Sequence, residues 1–326
     1  MKSLLRNVLG LLMVVLTVAY VVMFFWASVD VNGEILIGYA HNLAKGMVPW
    51  QDFGMSASPL GVILLGMLYR TFGVQAFGAW ALGFMAVVHL LNVIMMIYVL
   101  SRIHLHRIGI YVGVLLYLVM MFSALGWSVN MTPLAVLFML AAMSALMQKG
   151  IGNAMFAGIW MTLAIATEIH TVLLLPAVLV LAFWHGRTNH VHWQKGLLFF
   201  LFTLVMCVLA FIAVTALVGD TGWWRQVWFL RWPGEPMWAD RLVAAGCESL
   251  RVLAFLLLLI PFLWKKLTLY GRRFNVMALL AWVALMVIML STLTPAIGAL
   301  TFPFFAIAWA SLLTGTLTLT GTSFQR

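Results

Sequence analysis

Residues 74–100 read VQAFGAWALGFMAVVHLLNVIMMIYVL, a run without Asp, Glu, Lys or Arg. About 20 consecutive apolar residues are enough for a helix to cross a bilayer. Because lipid offers the backbone no hydrogen-bond partners, a membrane-spanning segment must be helical or belong to a closed barrel. The apolar residues here are continuous and do not alternate, which argues against a barrel strand. The run is therefore predicted to be a transmembrane helix.

The rest of the chain has the same character. Its 326 residues are 65% hydrophobic and only 8% charged, whereas soluble proteins carry about 25% charge. This pattern predicts an all-α, polytopic integral membrane protein with about 10 transmembrane helices in a single membrane domain, 1–326. The predicted spans are 8–27, 74–100, 108–125, 131–148, 151–166, 171–185, 196–218, 250–264, 275–293 and 299–319.

The charged residues separate by sign across these predicted spans. Twelve of the 18 Lys and Arg residues fall in the loops of one side, together with both termini. The positive-inside rule makes that side cytoplasmic, and the predicted location is the bacterial inner membrane. The acidic residues fall in the opposite loops or at their edge. The net charge of +10 does not indicate nucleic acid, because the basic residues are scattered among short loops.

Two outer loops are long, 28–73 and about 219–249. The first contains a polar break, DVNGE at 30–34 followed by GMVPWQDF at 46–53. An amphipathic juxtamembrane helix is predicted in it, capped by Asn32 or Gly33 and ended by Gly46. A second, interfacial helix is predicted at 58–72.

The residues of the first juxtamembrane helix divide into two predicted faces. The apolar face comprises Ile35, Leu36, Tyr39 and Leu43, and the polar face comprises Glu34, Gly38, His41 and Lys45. Composition alone also fits a helix lying on lipid headgroups, with Asp30 as a helix cap and Asp52 as a turn former.

The order of residues in this loop adds a more specific indication. The sequence contains, at characteristic intervals, Glu34, Tyr39-Ala40, Leu43, Gly46, Pro49-Trp50, Asp52-Phe53, Pro59-Leu60 and Phe72-Gly73. This arrangement resembles the first outer loop of the GT-C superfamily of membrane glycosyltransferases. The chain differs from the usual pattern in three places. Asp30 and Glu34 are not adjacent, Trp50 replaces the usual Tyr, and Ser58 replaces the first Pro of Pro-Pro-Leu.

The resemblance implies a polyprenyl-phosphate-linked sugar as donor, used on the non-cytoplasmic face. The acceptor would be an envelope glycan, lipid or protein, and membrane lipids would surround the chain. A carboxylate is needed near the acceptor as a general base, and positive charge or a divalent metal, Mg or Mn, near the leaving phosphate. Glu34 is the first candidate for the base, followed by Asp30 and Asp52.

Other residues are candidates for donor binding. His41 and Lys45 can contact the acceptor or the phosphate, or can remain a solvated helix face. In the second outer loop, Arg225 and Arg231 can bind phosphate, and Trp224 and Trp228 can stack on sugar rings. Tryptophans also gather at membrane interfaces, so this loop equally fits an aromatic belt.

The sequence also fits two other functions. Glu168 and His170 interrupt an apolar hairpin, and ionisable groups within membranes often mark transport pathways. A transporter or flippase of a lipid-linked or small substrate is therefore one alternative. A non-catalytic membrane subunit with the GT-C fold is the other, favoured by the short length and the separated Asp30 and Glu34.

Overall fold

The computed structural model describes residues 2–27, 31–48, 52–53, 58–102, 107–148, 150–175, 177–179, 193–218, 299–307 and 310. These residues are helical apart from short connections, and none of them forms a β-strand. The α-helices are α1 (Lys2–Met23), α2 (Val31–Ala44), α3 (Pro59–Arg102), α4 (Arg107–Leu125), α5 (Thr132–Leu146), α6 (Ile151–Thr167) and α7 (Trp193–Val218). Short 3-10 helices occupy Ile169–Leu174 and Ala299–Thr301.

Four of these helices are long and apolar enough to cross a membrane. The segments with this length and composition, called the crossing segments, are Leu4–Met23, Ala76–Arg102, Arg107–Leu125 and Lys195–Ala213. The apolar helices Pro59–Gly73, α5 and α6 are shorter. The all-α, membrane-associated class is therefore confirmed, whereas the total of about 10 spans stays a prediction. The predicted spans 250–264 and 275–293 and the second outer loop, 219–249, lie outside the described residues.

Two predicted boundaries differ from the structure. The first helix ends at Met23 and a turn follows at 24–26, so the prediction of 8–27 extended it too far. The predicted span 171–185 does not begin as a regular α-helix. Glu168 is extended, with φ −149° and ψ 105°, and the 3-10 helix Ile169–Leu174 follows it. A helix does occur where 58–72 was predicted, as Pro59–Gly73, and it continues into the rest of α3 through Gly73. Its interfacial position stays a prediction.

Contacts near both ends of α1 define its direction relative to α4. Gly10 faces the ring of Tyr111, close to the start of α4. The Tyr20 hydroxyl donates a hydrogen bond to the carbonyl of Gly126, just beyond the end of α4, over 3.0 Å. The two helices therefore run in the same direction.

The span of α3 runs opposite to α1. Phe25, just beyond the end of α1, is the side chain nearest to Gly83 in α3. Tyr20, earlier in α1, meets His89, later in α3, with ring centroids 4.9 Å apart. Successive membrane-crossing helices α1, α3 and α4 thus alternate in direction, as in an up-and-down bundle.

The remaining contacts assign the other helices to the same two ends. The Gln148 side-chain amide donates to the Tyr98 hydroxyl over 3.3 Å, so the end of α5 lies beside the end of α3. At the opposite end, the Ile169 amide donates to Ser58 Oγ over 3.2 Å. Helix α6 therefore runs from the first of these ends to the second.

This geometry gathers the described acidic residues at one end. The end that contains Gln148 also carries Arg6, Arg102, Arg107 and Lys195. The described acidic residues, Glu34, Asp52 and Glu168, belong to segments at the other end, where Lys45 and Arg70 also lie. Among the described residues, the first end, called the basic end, carries only cations, and the other, called the acidic end, carries all the carboxylates together with two cations. The sequence pattern predicts this confinement of the carboxylates to one end.

A glycine motif ends α2. Gly46 has φ +85°, its amide donates to the Leu43 carbonyl over 2.9 Å, and the Met47 amide donates to the Asn42 carbonyl over 3.1 Å. This pair of bonds is the Schellman arrangement, which satisfies the last free carbonyls of a helix. Glycine is favoured at such a position because a Cβ makes the left-handed backbone costly.

Replacing Gly46 with Ala is expected to lower the free energy of unfolding by about 1–2 kcal/mol. Gly38 is the matched control: it is exposed within α2, and an added Cβ would have nothing within 4 Å. Gly38→Ala should be neutral or stabilise by up to about 1 kcal/mol, because alanine favours helix. Thermal unfolding in detergent compares the two variants, and equal effects would contradict the role given to Gly46.

Candidate functional site

A helical hairpin lies between the first two membrane-crossing helices. It consists of α2 and the Pro59–Gly73 part of α3. The two helices approach closely at Gly66, where a Cβ would lie 3.3 Å from Leu43 Cβ and 3.5 Å from the Ala40 carbonyl oxygen. Small residues at a helix interface allow such an approach. The hairpin therefore presents α2 as a packed element at the acidic end of the bundle.

The buried face of α2 differs from the predicted one. Leu36 and Ala40 are buried, and Gly33 is buried in the first turn, whereas Ile35 is 48% exposed. The helix begins at Val31, so Asn32 and Gly33 lie inside it and neither is the cap. The predicted residues Leu36, Tyr39 and Leu43 do pack against the core, whereas the prediction of Ile35 was wrong and the small residues Gly33 and Ala40 were missed.

Glu34 occupies the first turn of α2 and is exposed. A negative side chain in this position is favoured by the helix dipole, whose positive end is the N-terminus. The carboxylate therefore belongs to a fixed helix and remains accessible to a ligand from solution. Asp30, the other half of the predicted acidic pair, lies outside the described residues.

His41 connects the two helices of the hairpin. Its Nδ1 lies 2.5 Å from the Tyr69 hydroxyl, and its ring meets the Tyr69 ring at a steep angle. His41 is half-buried and is therefore not a purely solvated face residue. Lys45, one turn later in the sequence, and Arg70, next to Tyr69, are both exposed and contribute positive charge to this hairpin.

Asp52 closes a turn that follows α2. Its Oδ2 accepts a hydrogen bond from the Val48 amide over 2.7 Å, and its own amide donates to the Val48 carbonyl over 2.9 Å. The adjacent Phe53 stacks against Tyr39 of α2, with ring centroids 6.0 Å apart. This geometry supports the turn-forming role for Asp52 that the sequence left open.

A buried acid–base pair lies at the end of α6. Glu168 Oε1 is 2.7 Å from His170 Nδ1, and the two side chains are only 8% and 2% exposed. The intervening Ile169 amide donates to Ser58 Oγ, at the start of the hairpin helix. The sequence identified Glu168 and His170 as unusual but gave no signal that Ser58 joins them, because the bond links segments far apart in the chain.

Tyr20 and Asn92 are polar side chains that occur inside predicted spans. Tyr20 bonds the Gly126 carbonyl, as described above, and the Asn92 amide nitrogen donates to the Pro133 carbonyl over 2.8 Å. The Asn92 Oδ1 atom is buried without a partner in the described part of the chain. These bonds connect helices in the way that polar residues do in membrane bundles.

The described residues do not form a metal site, since no three His, Cys, Asp or Glu side chains gather among them. The possible divalent metal, Mg or Mn, stays a prediction. Four predicted donor-binding residues lie outside the described ranges: Trp224, Arg225, Trp228 and Arg231.

Comparison of the chain with protein-family models, curated proteins and solved structures gave no match.

Proposed function

We propose that this protein is a membrane glycosyltransferase that transfers a sugar from a polyprenyl-phosphate-linked donor to a cell-envelope acceptor. The observation that carries the proposal is the hairpin between the first two crossing helices, which holds Glu34 exposed at the acidic end of the bundle. A lipid-linked donor has its phosphate at the membrane surface, and a helix packed at one end of a bundle can meet it there. The resemblance of the loop sequence to GT-C enzymes supports the same assignment.

The proposed reaction needs one base and one leaving group. The acceptor hydroxyl oxygen attacks the anomeric carbon of the sugar, and its proton passes to the Glu34 carboxylate. The bond between the anomeric carbon and the phosphate oxygen breaks, so that polyprenyl phosphate leaves with the electron pair. Water or another base then removes the proton from Glu34.

Positive charge near the departing phosphate stabilises the charge that develops on it. Among the described residues, Lys45 and Arg70 are exposed cations of the same hairpin as Glu34. Arg225 and Arg231 remain proposed phosphate ligands from the second outer loop. The proposed orientation puts the acidic end in the periplasm and the basic end, with both termini, in the cytoplasm of a bacterial inner membrane.

The test compares envelope glycans from cells that have the gene, lack it, or lack it and carry the wild-type gene on a plasmid. A transferase predicts that one glycosylated species disappears with the gene and returns with the plasmid. Identical glycans in all three strains would contradict the proposal. The purified chain in nanodiscs, given polyprenyl-phosphate sugars and an envelope extract of the strain that lacks the gene as acceptor, should also transfer sugar without another protein subunit, which a non-catalytic subunit would not.

A further inference from the structure

The line of contact between α1 and α4, called the α1–α4 seam, is fixed at two points. At the basic end, a Cβ added at Gly10 would lie 3.4 Å from the ring of Tyr111. Nearer the acidic end, the rings of Tyr20 and Phe122 have centroids 6.1 Å apart. The two contacts are almost equally spaced along the two helices. Helices α1 and α4 therefore run side by side in a defined register.

An arginine precedes the first of these contacts by about one turn on each helix. Arg6 comes four residues before Gly10, and Arg107 comes four residues before Tyr111. Residues with this spacing lie on the same face of a helix. Arg6 is half-buried and Arg107 is exposed. The register of the α1–α4 seam therefore brings the two arginines to neighbouring positions at the basic end.

No carboxylate balances these two arginines in the described part of the chain. The described acidic residues, Glu34, Asp52 and Glu168, all belong to the acidic end. Two positive charges at neighbouring positions repel each other, and the repulsion is relieved when an anion lies between them. The two arginines therefore form a place where an anion is favoured.

The starts of the two helices add positive charge at the same end. Helix α1 begins at Lys2 and helix α4 begins at Arg107, so both present their N-termini to the basic end. The first amide groups of a helix have no hydrogen-bond partner within it, and the helix dipole is positive there. An anion at the start of the α1–α4 seam would therefore meet guanidinium groups together with the positive ends of both helices.

The position of the two arginines along the crossing segments indicates which anion this is. Arg107 is the first residue of its crossing segment, and Arg6 lies two residues inside the crossing segment Leu4–Met23. The ends of such segments meet the headgroup layer, where the lipid phosphates lie. Val8 and Leu11 of α1 are exposed and can contact acyl chains. Basic pockets between transmembrane helices bind anionic headgroups, and the arginine fork matches phosphate oxygens.

We propose that Arg6 and Arg107 form a binding site for the phosphate of an anionic phospholipid, at the basic end of the α1–α4 seam. The phosphate oxygens accept hydrogen bonds from both guanidinium groups, and the acyl chains lie along the exposed apolar face of α1. The site is at the opposite end of the bundle from Glu34. It does not require sugar transfer, so it can be tested on the protein without donor or acceptor.

The test measures binding of the first lipid to the delipidated full-length protein in a neutral detergent, by native mass spectrometry. The probes are phosphatidylglycerol, which carries a net negative charge, and phosphatidylcholine, whose phosphate is balanced by its own ammonium group. Wild type should bind phosphatidylglycerol about tenfold or more tightly than phosphatidylcholine, because each arginine near a headgroup favours an anionic lipid. Equal affinity for the two lipids would overturn the proposal.

Substitutions then locate the site. Arg6→Gln and Arg107→Gln should each weaken binding of phosphatidylglycerol about tenfold, the contribution of a charged hydrogen bond. Arg6→Lys keeps the charge but lacks the fork, and should weaken binding less than Arg6→Gln. If Arg6→Gln failed to fold, Arg6→Lys and Arg107→Gln would decide the question, and wild-type affinity in both would overturn the site.

Arg102 supplies the matched control at the same end of the bundle. Its guanidinium donates to the Tyr98 hydroxyl over 2.7 Å and lies over the Tyr98 ring, 5.0 Å from its centroid. Arg102→Gln removes the same charge as Arg6→Gln but should leave phosphatidylglycerol binding nearly unchanged. Equal losses in Arg102→Gln and Arg6→Gln would refute a specific site, because general attraction of the lipid to positive charge would then explain both.

A competition experiment identifies the source of the phosphate. Excess inorganic phosphate is added to wild-type protein that carries phosphatidylglycerol. The lipid should stay bound, because inorganic phosphate lacks the acyl chains that contact α1. Release of the lipid would show that the site takes free phosphate and would overturn its assignment to a phospholipid.

Discussion

Replacing Glu34 with Gln is expected to reduce sugar transfer by about 100- to 10,000-fold, the contribution of a well-placed general base. Glutamine keeps the size and a hydrogen-bonding oxygen but cannot accept the proton of the acceptor hydroxyl at neutral pH. Because Glu34 is exposed on α2, the substitution should not alter folding. The variant protein should therefore accumulate in the membrane at wild-type levels while the glycan product is lost.

Two further variants make this experiment specific. Asn42→Gln changes a polar residue on the same helix and should leave transfer unchanged. Asp52→Asn should reduce transfer less than Glu34→Gln, because asparagine retains an oxygen that can accept the Val48 amide hydrogen. If Glu34→Gln kept full sugar transfer and Asp52→Asn lost it, Asp52 and not Glu34 would be the base. Full activity in both would reject both assignments and leave Asp30 as the candidate.

Replacing Gly158 with Ala is expected to destabilise the fold by about 1–3 kcal/mol, as overpacking in a tight interface does. A Cβ at this position would lie 2.9 Å from the Phe200 carbonyl oxygen, 2.9 Å from Thr203 Cβ and 3.0 Å from the Leu204 nitrogen. Two of these atoms belong to the backbone of α7, so no side-chain rotation can relieve the contact. The backbone of one of the two helices must therefore shift at this contact.

Gly152 provides the control within the same helix. Nothing lies within 4 Å of a Cβ added there, so Gly152→Ala should be neutral or slightly stabilising. Melting temperatures of the purified variants in one detergent give the comparison. A melting temperature for Gly158→Ala at or above that of Gly152→Ala would show that α6 and α7 do not pack as described.

Much of this fold could be predicted because long apolar runs in the sequence indicate membrane-spanning helices. The apolar runs at 74–100 and 108–125 correspond to the crossing part of α3 and to α4. The confinement of the described acidic residues to one end could also be predicted, since it follows from loop order alone. The end of α1 could not, because the apolar residues 24–27 continue the hydropathy pattern although the backbone turns there.

The candidate site was predicted in part. The sequence correctly placed a helix that contains Glu34 and His41 between the first two spans, and ended it near Gly46. It did not predict that Ile35 is exposed, since hydropathy does not reveal how closely two helices approach. The bonds from His41 to Tyr69 and from Ile169 to Ser58 also required the structure, because they depend on tertiary packing. The roles of Glu34, Asp30 and the second-loop residues stay predictions.

Gly73 interrupts α3 with φ 73° and ψ 175°, and nothing in the described structure lies within 4 Å of a Cβ added there. An unbroken helix of the 44 residues of α3 would be about 66 Å long at 1.5 Å per residue. The hydrocarbon core of a bilayer is only about 30 Å thick. A straight α3 would therefore carry the Pro59 end far into the surrounding water, out of reach of any lipid headgroup. The break at one glycine lets a single long segment serve both as a membrane crossing and as a separate element whose height above the bilayer is limited.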